Sequence, residues 1–232
     1  MRTEVVVVGA SGFGREALDV LEAMQREYAP IEIVGVVDDS PSGINLRRLQ
    51  DRGMRYLGTI DNWLARGNSD TQFVLGIGNP QVRRRLIARM DALDRKAFAA
   101  VHPSAQIGSR VLFGVGVVVC AGVVISTNAR VGRHVHVNPN ATIGHDCALG
   151  DFVSVNPAAV ISGEVHIGAD TLVGASATIL QGLTVGDGVV IGAGAVVTKN
   201  VPNGVTVKGV PGTWIDVPRG QVNVGPDVSG LQ

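Results

Sequence analysis

From Val101 onward the chain repeats with a period of six, and that period limits the fold more than any other property of the sequence. Stepping by six from Val101 to Val197 meets Val, Ile, Leu or Phe at all seventeen positions. Four residues after each of these lies a small or medium side chain, from Ala105 through Cys147 to Val201. Glycine takes the second place in nine of the seventeen hexads, where a tight corner favours a residue without Cβ. A period of six fits neither an α-helix nor a meander of hairpins, but it fits a coil of short strands joined by corners. Val137-Asn138-Pro139 returns eighteen residues later as Val155-Asn156-Pro157, and Val173-Gly174-Ala175 returns as Ile191-Gly192-Ala193. Three hexads therefore make one turn of a triangular prism.

Charge marks where the prism begins. Residues 1–100 carry 14 basic and 13 acidic side chains, and residues 101–202 only 4 and 5. We expect an N-terminal domain over 1–100, the coil over 101–211 and a C-terminal tail over 212–232. The hexad phase fails after Val201, and Gly209-Val210-Pro211 reads as the exit from the prism. The stretch from Asp216 to Gln232, rich in Gly, Pro and Val without period, reads as loosely ordered. A formal net charge of zero argues against nucleic acid or an anionic membrane as partner. The opening Glu4 and four-valine run make neither a signal peptide nor a span, so a cytoplasmic protein is expected. Cys120 and Cys147 lack the spacing of a disulfide framework or zinc site and read as reduced core residues.

In the first hundred residues, Glu4 to Val8 reads as a buried strand, followed by the turn Gly9-Ala10-Ser11-Gly12-Phe13-Gly14 and a helix over Arg15 to Glu27. Strands at Ile33 to Val37 and Phe73 to Ile77 end at Asp38-Asp39 and Gly78-Asn79. All three would end at the carboxyl edge of one sheet, where α/β domains bind ligands. The turn spacing is G-x-x-G-x-G, which differs from the dinucleotide fingerprint but still brings backbone amides toward a phosphate.

All five histidines, at 102, 134, 136, 145 and 166, fall within the coil, each in a different register of the eighteen-residue turn. That argues against a three-histidine zinc site of the kind γ-type carbonic anhydrases build on such a coil, and no metal is expected. His145, third in Ile143-Gly144-His145-Asp146-Cys147-Ala148, points outward near a corner while Ile143 and Cys147 face the core. It is the candidate base, and Asp146 the carboxylate able to orient it. An exposed His-Asp corner without function is the plain alternative.

These features resemble the hexapeptide-repeat acyltransferases, and with the N-terminal array they resemble one branch: the bacillosamine and perosamine N-acetyltransferases and the related sialic acid O-acetyltransferases. The resemblance implies a left-handed parallel β-helix behind a Rossmann-like domain, a homotrimer, and acetyl-CoA in the groove between prisms. It implies acetyl transfer to a nucleotide-linked amino sugar, or alternatively O-acetylation of sialic acid or another free sugar. It makes His145 and Asp146 the base and its supporting acid, and Asn138 a substrate contact. Ser11, Gly12, Phe13, Asp38, Asp39 and Gly78 would hold the nucleotide sugar; family members commonly carry histidine where this chain has Phe13. Ser154, standing where the bacillosamine enzymes have a second histidine, would contact acetyl-CoA along with Ala175 and Ala193. Uncharged outward side chains such as Val115 and Val118 suggest that some prism faces are covered by association.

Overall fold

A computed structural model describes residues 2–28, 30–66 and 68–215. The expected tail from Asp216 to Gln232 lies outside the described residues. The chain begins β1 (Thr3–Val8), α1 (Gly12–Tyr28), β2 (Ile31–Val37), α2 (Gly43–Asp51), α3 (Ile60–Arg66), β3 (Gln72–Leu75) and α4 (Pro80–Asp91). The three strands form a parallel sheet in the order β2-β1-β3. Alternation along β1 explains its four valines, because a strand presents successive side chains to opposite faces. Val5 and Val7 pack with Ala17, Leu18 and Leu21 of α1, whereas Val6 and Val8 pack with Phe73, Ile87 and Met90. β3 stops two residues earlier than expected, and the backbone there meets the glycine turn. A Cβ on Gly14 would fall on the Gly9 carbonyl, so α1 can cross β1 this closely only without a side chain.

From β4 (Ala100–Val101) to β21 (Thr206–Val207) the chain is a succession of two-residue strands in three parallel sheets of seven, six and five strands. All but the last pair with strands eighteen residues away, as in His136 with Val118 and Ser154. The first and fifth hexad residues fill the prism, with Val137, Ile143, Val155, Ile161, Ala141 and Ala159 wholly buried. Two details lie beyond what the repeat alone specifies. Second-place glycines do not take a left-handed backbone; a Cβ on Gly144 would lie 2.5 Å from the Gly163 amide of the next coil, so close stacking selects glycine there. The left-handed residue is the fourth, as at Asn128 (φ 60°), Asp146 (φ 58°) and Phe152 (φ 61°). The coil also outlasts its phase: β21 pairs with Val190–Ile191 at a separation of sixteen residues, and Val207 is fully buried.

One prism face is covered by the chain's own N-terminal domain. Along it Ala100, Val118, His136 and Ser154 are buried, while Val190 near its far end is exposed. Val118 is thus no free association surface, and Cys120 packs with α1 outside the prism core. At this junction Phe13 stacks on His136 with centroids 4.3 Å apart, and His134 lies between Phe73 and Phe152. Burial pushes His134 down to about 4 and His136 well below the ordinary histidine range, Arg133 and Arg83 adding to the respective shifts. Neutral rings therefore favour the fold, fully so above the unfolded value near 6.5, and the benefit is lost as pH falls toward 4. His134 alone should cost about 2 kcal/mol of stability by pH 5. In thermal melts from pH 7.5 to 5, His134→Phe should flatten the decline; Phe152 already holds that corner conformation one coil on. An identical decline in the variant would exclude His134 as its source.

Candidate active site

His145 and Asp146 occupy the corner between the other two faces, away from the N-terminal domain of the same chain. The left-handed turn at Asp146 brings its carboxylate back to the preceding ring, and Asp146 Oδ2 lies 2.8 Å from His145 Nδ1. Asn128, one coil earlier, donates from Nδ2 to Asp146 Oδ1 at 3.0 Å. These hydrogen bonds, His145 first and Asn128 second, hold the Asp146 carboxyl below its usual range. With the carboxylate at Nδ1, that nitrogen carries the proton and Nε2 is the acceptor. The ring stays about half exposed. Its position depends on Gly163, eighteen residues on, because a Cβ there would clash with the imidazole at Nε2. A cavity of about 500 Å³ opens beside Asp146 over Ala148.

The N-terminal candidates gather at the carboxyl edge of the small sheet. α1 begins at Gly12, earlier than expected, so Phe13 lies in its first turn and Ser11 and Gly12 stand exposed at its start. Asp38 is committed to backbone: Oδ2 accepts from Ala10 N at 2.8 Å and Oδ1 from Ser40 N at 2.9 Å. Asp39 Oδ1 accepts from Ile60 N, the first residue of α3, at 2.8 Å. Gly78 is exposed, with its carbonyl turned toward the coil.

Ser154 is 2% exposed and bound within the chain: Arg83 Nη1 and Nη2 each donate to its Oγ at 3.0 Å, and its hydroxyl reaches the Gly78 carbonyl at 3.2 Å. Asn138 is also engaged, donating to the Val155 carbonyl at 3.0 Å and approaching Asn156 Oδ1 at 3.5 Å, the arrangement of an asparagine ladder. Ala175 and Ala193 are stacked on the corner between the covered face and its neighbour, with Gly194 N donating to the Ala175 carbonyl at 2.8 Å. One chain therefore does not bring its His-Asp corner, alanine corner and N-terminal edge together. Cys147 is held in the core with its thiol pushed up by burial, and Cys120 is raised to about 12 for the same reason; neither is a ready nucleophile. Among the described residues no group of three or more His, Cys, Asp or Glu could hold a metal ion, and no helix is long and apolar enough to cross a membrane.

Sequence reasoning missed Arg83. It has no exposed surface, and besides Ser154 it donates to the carbonyls of Ile77, Gly78, Phe152 and Val153. Burial pushes its guanidinium down to about 9. The signal was helical spacing, since Arg83 shares the face of Leu86, Ile87 and Met90.

A Rossmann-like domain whose carboxyl strand edge adjoins a coil bearing an oriented imidazole defines a class. Residues 4–90 match the PglD N-terminal domain, and 164–199 match the hexapeptide repeat of succinyl-transferase. The chain belongs to the hexapeptide-repeat sugar acyltransferases with a PglD-type N-terminal domain, and its coil is their left-handed β-helix. Within that family it is 31% identical to the acetyltransferase domain of PglB from Neisseria gonorrhoeae FA1090, solved with acetyl coenzyme A, covering 93% of this chain and 100% of that one with a TM-score of 0.83. PerB from Caulobacter crescentus, solved with CoA and GDP-perosamine, is 27% identical over 92% of this chain and 97% of its own, with a TM-score of 0.81. The GDP-perosamine N-acetyltransferase of Escherichia coli O157:H7 is 32% identical over 141 residues, which span 60% of this chain and 61% of that protein.

Proposed function

We propose that this protein transfers the acetyl group of acetyl-CoA to the amino group of a nucleotide-linked amino sugar, directly and without an acyl-enzyme. The observation that carries the mechanism is the 2.8 Å contact of His145 Nδ1 with Asp146, which commits that nitrogen and leaves Nε2, beside Gly163 on an outward corner, as the proton acceptor. The sugar amine attacks the thioester carbonyl carbon, and His145 Nε2 takes the proton that the nitrogen sheds. The C–S bond then breaks, CoA leaves as the thiolate and takes up a proton, and Asp146 stabilises the imidazolium in the interval. The solved relatives support the substrate classes, since their structures hold acetyl coenzyme A in one case and CoA with GDP-perosamine in the other.

The assembly we propose is a homotrimer. The N-terminal edge and the His145 corner lie on different sides of one prism, so a neighbouring copy would present its sugar to this chain's base, with acetyl-CoA running along the groove past Ala175 and Ala193. Exposed apolar side chains on the uncovered faces and corners, among them Leu112 at 64% and Leu180 at 43%, support burial by association.

The N-terminal edge would select the nucleotide sugar. Asp39→Ala should raise KM for that substrate severalfold and leave KM for acetyl-CoA unchanged, as loss of uniform binding to one substrate requires. Steady-state kinetics with UDP-, GDP- and dTDP-linked amino sugars checks this, and equal losses for both substrates would remove the assignment.

A further inference from the structure

We propose that Arg110 and Arg130 form the site for the sugar-linked phosphate of the nucleotide sugar whose amine reaches His145; this rests on the function proposed above. The coil is poor in charge, with four basic residues between 101 and 202. Arg133 is paired with Asp91 at 2.9 Å, and the Lys199 ammonium lies 4.7 Å from the centroid of the Trp214 ring. The remaining two, Arg110 and Arg130, both line the cavity beside Asp146, and neither guanidinium has a protein partner among the described residues.

Stacking explains how they converge. Arg110, Asn128 and Asp146 follow one another at eighteen-residue intervals up a single corner, each in the left-handed conformation. On the adjoining face Arg130 pairs in register with Ala148, and Ala148 with His166. The short Ala148 side chain leaves a floor between two longer walls. A solvent-facing arginine in such a concavity presents a planar fork suited to phosphate.

Distance favours the nucleotide sugar over CoA as the source of that phosphate. Arg130 is one coil and Arg110 two coils before the Asp146 level at about 4.8 Å per coil, and His145 Nε2 leans the other way, toward Gly163 in the next coil. The long arginine side chains reach back across that gap, which brings their guanidiniums to the span from a sugar amine to the phosphate on the anomeric carbon of the same hexose. The phosphates of CoA are held from the thioester by the whole pantetheine arm, several coil spacings away. The two arginines would also offset the repulsion between Asp146 and an incoming phosphate.

The test uses the full chain with Arg110→Gln, Arg130→Gln and the double substitution. Loss of charge-assisted bonds to phosphate should raise KM for the nucleotide amino sugar about tenfold or more in the double variant, with KM for acetyl-CoA unchanged. An unchanged KM for the nucleotide sugar would overturn the proposal, as would a rise confined to acetyl-CoA or shared equally. Calorimetric titration with inorganic pyrophosphate separates this failure from that of the function itself. Pyrophosphate should bind the parent and not the double variant, whether or not any amino sugar is acetylated. Equal binding by both, or by neither, would show that the arginines form no phosphate site.

Discussion

His145→Ala is expected to lower the turnover number by about a hundredfold to ten-thousandfold, the range that general-base catalysis contributes, with little change in either KM. The reasoning is geometric. Nδ1 is committed to Asp146, the opposite nitrogen is kept clear by the missing side chain of Gly163, and the ring is about half exposed. Truncation removes no core contact, so the melting temperature should stay within a few degrees of the parent. Asp146→Asn should cost less: asparagine tolerates the left-handed backbone and loses only charge support. Rapid-quench or thiol-release assays with both substrates saturating give the comparison. Full activity in His145→Ala would place the base elsewhere.

The largest effect on stability is expected at Arg83. Arg83→Ala strips the side-chain donor from the Ile77 and Phe152 carbonyls, leaves Ser154 and the Gly78 carbonyl with only each other, and opens a void between α4 and the coil. Unmade buried hydrogen bonds and a cavity together should cost about 3–5 kcal/mol. For a chain of this size that is on the order of 10 °C in melting temperature. Arg83→Lys should recover only part, since one ammonium cannot reach acceptors spread over two domains. Calorimetry of the three proteins decides the matter, and a loss below about 2 °C would show that the carbonyls find other partners.

The coil was legible because a buried lattice with an eighteen-residue repeat writes itself into every sixth residue, and Val137, Ile143 and Cys147 are inside as their phase demands. The contact of His145 with Asp146 was not, since adjacency in sequence does not require touching; the left-handed fourth residue supplies it. Ser154 shows the sharper limit. Its outward phase said only that it leaves the prism, and its partner Arg83 stands 71 residues earlier, on a helix that carried no motif. The helices α2, α3 and α4 passed unnoticed for the same reason: their apolar stripes are short, and the contacts that define them come from the sheet and the coil.

The slip near Val201, where the pairing interval drops from eighteen residues to sixteen, shows that the coil is read in a frame. A single inserted residue upstream of Ile143 would shift every later side chain by one phase, turning core valines outward and carrying the His-Asp corner off its bearing, much as a frameshift garbles all that follows it. Near the end of the coil little follows, so a change of two residues is absorbed. Lengthening such a protein by whole turns should therefore be far easier than lengthening it by one residue, and variation among coils of this kind should come in units of eighteen everywhere except near the last strands.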